Sequence, residues 1–518
     1  MFKLLGFFCY DCLSQLLNNK GVGFMQLLKV YIQETVMRLT TELVPLFFLT
    51  YVAHILHVQA LGMQAGTFAL VMLSIGVVAT AIRIYAQSEL SKMAPDKRTN
   101  SSFFWGVWSI QVSVLAILAL VTWGLINGLN LPFESVFKAQ VLFYVGAMLD
   151  ISWLYNGINK TRVIVRRDAL VQMLRFVPLI IFVKSPSDLT HFIILLAMTT
   201  IIANLLLWAR LPKVLVRVNV TNLPVKLHYK ALGFFLAIAL LPQLSLYLNK
   251  AVLFVSRGAH EVALYYSAEL LIKVGIAFVL GIAMAMMTKV QEQRRAGDSA
   301  GVEKSFYEAI EYSSALSVIV AVGVATVGPQ AVYWFLGPTF VGVGEVLRIL
   351  AFIIIVASWR YSLALQQMAA DRGFRNVSIP VQVGAAINVV LSLALIPHFG
   401  MLMAAWVALI SEIVALLLQV MVLRHVLNPW QFIRFVWRYI VAGAVAWLAI
   451  TLVIHGVPGP YPKFSALEAA VGLIVYTIVV FVFSTQVAKV VNTVIVLAVH
   501  RMFESTIEFI RIMLRIKK

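Results

Sequence analysis

Apolar runs of about twenty residues recur along nearly the whole chain, and that repetition constrains the fold more than any single motif. Each run is long enough to cross a hydrocarbon core as a helix. In lipid, only helices and closed barrels satisfy their own backbone hydrogen bonds. About fourteen cores can be placed, at 36–56, 62–83, 103–127, 136–157, 168–184, 190–210, 233–255, 262–286, 308–330, 345–368, 377–397, 401–423, 436–456 and 466–486. The expected fold class is an all-α polytopic membrane protein. Composition agrees, because 61% of the 518 residues are hydrophobic and only 12% charged, about half the charge of a soluble protein.

The loops alternate in charge. One set carries Lys92, Lys97 and Arg98, then Lys160, Arg162, Arg166 and Arg167, then Lys213, Arg217, Lys226 and Lys230. It continues with Lys289, Arg294, Arg295 and Lys304, with Arg372 and Arg375, and with Arg424 and Arg434. The opposite set holds only Lys138, Lys184, Arg257 and Lys463. This bias predicts a multi-pass cell-membrane protein with both termini cytoplasmic. The net charge of +19 therefore marks a membrane face, and no nucleic-acid partner is expected. Short outer loops leave no room for a luminal domain.

The ends read differently from the middle. Residues 1–24 lack a cleavage site and read as a surface segment, with Met25 as a second candidate start besides Met1. Cys9 and Cys12 form an isolated CxxC, too bare of other ligands to imply a metal. Residues 488–518 turn basic and amphipathic through Arg501, Arg511, Arg515 and Lys517, which predicts a tail lying on the inner membrane surface. Between the ends an internal repeat is visible. Pro45 and Pro242 fall inside the first and seventh spans, each followed about seventeen residues later by a glycine, Gly62 or Gly258. The expected division is a six-helix bundle over 25–222, another over 223–426, and helices thirteen and fourteen over 427–487.

Charged side chains inside the spans carry the functional reading, because each is costly in lipid and must face the bundle interior or a wet cavity. Arg360 stands near the middle of the tenth span, with Gln367 on the same face. Gln243, Tyr247, Lys250 and Arg257 share a face of span seven, and Tyr266, Glu269 and Lys273 one of span eight. Arg38 and Glu42 lie a turn apart in span one, Arg175 in span five, Asp150 in span four and Glu412 in span twelve. One reading is a cation-lined central cavity for a substrate with fixed negative charge, pyrophosphate, phosphate or carboxylate. The candidate substrate-binding residues are then Arg360, Lys250, Lys273, Arg175, Arg38 and Gln367. The other reading is local neutralisation, open to Arg38 with Glu42 and to Glu269 with Lys273 at i,i+4. Lys250, Arg360 and Arg175 have no acid in their own helix turn, whereas Arg348 has Glu345 nearby. Glu42, Asp150, Glu269 and Glu412 are candidate carriers of a coupling H+ or Na+. No P-loop or HExxH is present, no cofactor is expected, and the chain does not read as an enzyme.

Several segments resemble bacterial polysaccharide flippases of the multidrug/oligosaccharidyl-lipid/polysaccharide exporter superfamily. They are Asp150-Ile151-Ser152-Trp153-Leu154-Tyr155-Asn156-Gly157; Leu336-Gly337-Pro338 with Phe340, followed by Val346-Leu347-Arg348-Ile349-Leu350-Ala351; and Asn388 with Leu395-Ile396-Pro397, Phe399-Gly400, Ala404-Ala405 and Ser411-Glu412. The resemblance spans roughly residues 40–425. It implies two six-helix bundles facing a V-shaped cavity, with two extra C-terminal helices. It also implies movement of undecaprenyl-pyrophosphate-linked oligosaccharide from inner to outer leaflet by alternating access, for cell-surface polysaccharide synthesis. Polymerase and glycosyltransferase partners would follow, along with membrane lipids. One departure is His54, which stands in Thr50-Tyr51-Val52-Ala53-His54 where the family tends to have Arg. The competing readings are a drug/cation antiporter of the same superfamily and a membrane-bound glycan polymerase, ligase or acyltransferase.

Overall fold

A computed structural model describes residues 22–483, 485, 487 and 488, apart from 94–95, 130–132, 212–214, 217–224, 370–373, 425–427 and 457–461. The side chains at 22–30, 32–34, 36–41, 173, 225–227, 368–369, 374–376, 429, 454–456 and 462–463 are also outside the description. Cys9, Cys12, the side chain of Arg38 and nearly all of the expected C-terminal tail therefore lie outside the described residues.

Every regular element among the described residues is helical. The N-terminal half comprises α1 (Val22–Leu90), α2 (Lys97–Gly128), three short helices α3 (Glu134–Gln140), α4 (Leu142–Met148) and α5 (Ser152–Gly157), then α6 (Thr161–Phe182) and α7 (Leu189–Trp208). The C-terminal half comprises α8 (Val225–Arg257), α9 (Ala259–Arg295), α10 (Ser299–Thr326), α11 (Gly328–Leu336), α12 (Val343–Ala369) and α13 (Phe374–Val422). Helices α14 (Pro429–Gly456) and α15 (Pro462–Val482) follow.

Among the described residues, eleven helical stretches are long and apolar enough to cross a membrane. The difference from about fourteen has two physical sources. Two helices, α1 and α13, run continuously through non-helical residues, His57 (φ 60°, ψ 175°) and Gly400 (φ 70°, ψ −152°), so each holds two of the expected spans. A straight helix of α1's length would reach about 100 Å, some three bilayer cores, so the break at His57 is what lets it fit. The second source is α6, whose first turns carry Arg162, Arg166, Arg167 and Asp168 and are too polar for a span.

The two prolines of the repeat both lie within long helices, Pro45 in α1 and Pro242 in α8. The halves meet along α1, which packs on α8 and α9. Close approach there requires glycine. A Cβ at Gly62 would stand 1.7 Å from the Ala259 carbonyl oxygen, and one at Gly66 would overlap the Phe254 ring at 2.2 Å. At the opposite end the Tyr85 hydroxyl and His228 Nδ1 form a 2.6 Å hydrogen bond between α1 and α8. Gly281 of α9 sits against Thr35 of α1. The halves thus touch at both ends of the bundle.

Helices α14 and α15 add a small separate core on α10, where Ala315, Val318 and Val322 meet Tyr439, Ala442, Ala446, Ile450, Tyr476 and Val480. Tyr439 donates to Glu311 Oε1 at 3.0 Å and Tyr476 to the Ala315 carbonyl at 2.7 Å.

Candidate functional site

The heptad-like spacing on α8 sets Gln243, Tyr247 and Lys250 on a face turned towards α9 and the second arm of α1. The facing turn of α9 brings Tyr266, Glu269 and Lys273. Lys250 Nζ donates to Glu269 Oε2 at 2.5 Å and to the Leu246 carbonyl at 3.2 Å. Lys273 Nζ reaches the other oxygen, Oε1, at 3.0 Å. One carboxylate therefore serves two ammonium groups, leaving a surplus positive charge at this point in a membrane bundle. The two lysines differ in access, since Lys250's side chain is 6% exposed and Lys273's 37%. The local pair expected from the i,i+4 spacing, Glu269 with Lys273, is present, and Lys250 joins it from another helix.

The N-terminal half closes over this cluster. A Cβ at Gly76 would lie 2.9 Å from Gln243 Oε1 and 3.2 Å from the Tyr247 ring, so α1 runs close against the α8 face. Phe68 packs edge-on to Tyr247, with ring centroids 6.5 Å apart. Seven residues beyond Gly76, hence on the same helix face, stands exposed Arg83. The charges of Arg83 and Lys273 both act on the Tyr247 hydroxyl, and Glu42 of the first α1 arm acts on Lys273. Sequence reasoning passed over Arg83 because it closes an apolar run, where cations are ordinary. Its signal was the seven-residue step from Gly76.

Arg360, with no acid in its own helix turn, finds one on another helix: its Nε donates to Glu412 Oε2 at 2.7 Å and an Nη to Oε1 at 3.2 Å. This bidentate pair joins α12 to the second arm of α13, and its geometry is the strong, planar kind that Arg favours. Seven residues along each helix, Gln419 donates to Gln367 Oε1. The matched step shows that the two segments run parallel, with Arg360, Gln367, Glu412 and Gln419 as their polar contact. Arg348 and Glu345 are both exposed.

The remaining candidates lie elsewhere. Arg257, grouped by spacing with Lys250, sits at the far tip of α8 and donates to the His398 carbonyl. Beside it Glu261 accepts the Met401 N–H at 2.7 Å. Together they clamp both sides of the Gly400 turn. Arg175 bonds neutral partners on α7, Thr199 Oγ1 at 2.9 Å and Thr200 Oγ1 at 3.2 Å. The structure does not bring it to the lysine cluster.

Asp150 sits at a break in the fourth span, between α4 and α5, and accepts the Ser152 N–H at 2.9 Å. Unwound backbone at membrane depth must find partners inside the protein, and here side chains supply them. Gln111 donates to the Ala147 and Asp150 carbonyls at 2.6 and 2.9 Å, Trp108 to Met148 at 3.0 Å and Trp208 to Leu149 at 2.9 Å. Trp153 in turn donates to Gln111 Oε1 at 3.0 Å. Among the described residues no group of three or more His, Cys, Asp or Glu is placed to hold a metal.

No protein-family model and no curated protein sequence matches this chain. Solved structures do resemble it. A lipid II flippase, MurJ, in an inward closed conformation superposes with a TM-score of 0.69 at 12% identity, over 87% of this chain and 98% of that one. An inward-facing MATE family multidrug resistance transporter of the MOP superfamily gives 0.56 at 16% identity, over 76% and 98%. A MOP superfamily transporter from Pyrococcus furiosus, described as having a binding pocket of reversed polarity, gives 0.51 at 16% identity, over 79% and 99%. At these identities the likeness shows the fold: this chain has the multi-pass helical architecture of MOP superfamily transporters.

Proposed function

We propose that this protein is a flippase moving a lipid-linked oligosaccharide, carried on undecaprenyl pyrophosphate, from the inner to the outer leaflet by alternating access. The observation that carries this reading is the surplus positive charge of Lys250, Glu269 and Lys273, facing Arg83 across the boundary between the halves. A cation not fully neutralised inside a membrane bundle favours an anionic ligand, and a pyrophosphate offers several acceptor oxygens to Lys and Arg together. The fold shared with a lipid II flippase supports the same substrate class. So do the segments resembling polysaccharide flippases, with the Asp150 segment at the break and the Pro397–Gly400 segment at a turn.

The likeness to MATE transporters supports a second reading, a drug/cation antiporter. That chemistry needs a carboxylate open to an incoming cation. Glu269 and Glu412 are each held by basic side chains and Asp150 accepts a backbone N–H, which favours the anionic substrate. Coupling to H+ or Na+, with Glu42 a candidate carrier outside the Lys250–Glu269–Lys273 triad, belongs to the same proposal, as do a polymerase and glycosyltransferases acting on the cargo. A deletion strain tests it. The completed lipid-linked glycan should accumulate on the cytoplasmic leaflet, and normal surface delivery of that glycan would sink the idea.

A further inference from the structure

Glu269 divides its two oxygens between lysines of unequal freedom. Lys250 is enclosed, held by Glu269 Oε2 at 2.5 Å and by the Leu246 carbonyl at 3.2 Å, with its ammonium 5.7 Å from the Tyr247 ring centroid. Among the described residues Lys273 makes one ion pair, at 3.0 Å to Oε1, and it keeps 37% of its side chain exposed. An ammonium is a point charge with three rotatable donors, so Lys273 can change partner by rotating its stem. Lys250, 6% exposed, has no such path to a ligand.

We propose that Glu269 is an internal counter-anion. An incoming pyrophosphate replaces it at Lys273, and Lys250 holds the carboxylate in place while that happens. This rests on the anionic-substrate reading above. The charge arithmetic gives Lys250 its role. If Glu269 faced Lys273 alone, releasing that lysine would strand a buried carboxylate beside an anionic ligand, a costly arrangement. With Lys250 retained, the carboxylate stays neutralised, and Lys273 leaves carrying one positive charge to the ligand. Arg83 lies across the boundary, exposed on the α1 face that Gly76 sets against Gln243 and Tyr247. A pyrophosphate held by both cations would connect the two halves, so exchange at Glu269 couples substrate arrival to their approach. Lys250 is on this account a positioning residue that never touches substrate.

The test is equilibrium binding to the purified full chain in nanodiscs, with inorganic pyrophosphate and farnesyl pyrophosphate as separate probes. Lys273→Met should weaken binding by about tenfold. Lys250→Met should weaken it by a similar factor despite making no ligand contact, because Glu269 then holds Lys273 as its only partner. The double variant Lys250→Met with Glu269→Gln should return to within about threefold of the starting affinity. Glu269→Gln alone, which frees both lysines, should bind about tenfold more tightly and keeps the test informative if Lys250→Met fails to fold. Unchanged binding by Lys250→Met, no recovery in the double variant, or equal or weaker binding by Glu269→Gln would each overturn the exchange. A starting protein that binds neither probe contradicts the anionic-substrate reading and the exchange with it. Tighter binding of the prenyl probe assigns the site to a lipid-borne pyrophosphate, and equal binding assigns it to the anion alone; both keep the exchange.

Discussion

In the N-terminal half, buried polar side chains close on one another and on freed backbone carbonyls without any ion pair between described helices. Ser74 and Thr122 both meet the Tyr144 hydroxyl, at 2.6 and 2.9 Å. Gln111, Trp108 and Trp208 cover the break in the fourth span, and even Arg175 is held by two threonines. In the C-terminal half, charges meet between the helices: the Lys250–Glu269–Lys273 triad and the Arg360–Glu412 pair. Neutral donors and acceptors, once satisfied, fix an irregular backbone and ask for nothing further. Charges in lipid must be compensated, and a triad of two ammonium groups and one carboxylate favours a further anion. The comparison separates the N-terminal helices α2–α7, whose interior contacts are met by neutral partners, from the boundary of α1, α8 and α9, where positive charge is left over.

The sharpest way to break that contrast is to remove one partner of a charge pair. Glu412→Ala leaves Arg360 buried without its carboxylate, and is expected to cost about 3–5 kcal/mol, read as loss of folded protein or of thermal stability in detergent. Pairing Arg360→Met with Glu412→Leu should recover most of it, since an apolar pair of similar volume replaces a buried ion pair at little cost. Failure of the double variant to recover would mean that the pair does more than neutralise itself. In the other half the largest effect is expected from Gln111→Ala, which strips donors from Ala147 and Asp150 and an acceptor from Trp153. About 1–3 kcal/mol is expected for each group left unsatisfied in the interior, in the same thermal measurement. A change below the scatter of that measurement would show that the broken span finds other partners.

Two smaller effects sharpen the comparison. His57 holds a backbone conformation, φ 60° and ψ 175°, that glycine adopts freely and other residues only with strain of about 1–3 kcal/mol. His57→Gly should therefore raise the unfolding temperature slightly, and a decrease would show that the imidazole itself supports the turn. The least effect is expected from Arg175→Met, under about 1 kcal/mol, because its partners are hydroxyls that retain other bonds: Thr199 and Thr200 each also donate to the Leu196 carbonyl at 2.9 Å. A loss as large as that of Glu412→Ala would place a charge requirement in the N-terminal half as well.

These particulars show how far the sequence could be read. The spans were legible because apolar length and loop charge are local properties, and the two continuous helices differ from expectation only at the single residues His57 and Gly400. The ion pairs were partly hidden, since spacing within one helix reveals only local partners. Glu269 with Lys273 was visible at i,i+4, but Lys250 meets Glu269 from a neighbouring helix, and Arg360 meets Glu412 across 52 residues of chain. The fourth-span segment from Asp150 to Gly157 stood out as a motif, yet nothing in its periodicity announced an interrupted helix. Its backbone is held open by donors 36 to 59 residues away. Arg83 was missed for a related reason: its meaning comes from what Gly76 and Tyr247 place beside it.

The central claim, that unmet positive charge at Lys273 and Arg83 serves an anionic lipid, is most directly tested in proteoliposomes holding the purified protein. Transbilayer movement of a fluorescent polyprenyl-pyrophosphate disaccharide is compared with that of an organic cation such as tetraphenylphosphonium. The account predicts protein-dependent movement of the pyrophosphate lipid, lost in Lys273→Met and Arg83→Met, and no movement of the cation. Energised transport of the cation, with the pyrophosphate lipid left in its original leaflet, would contradict it.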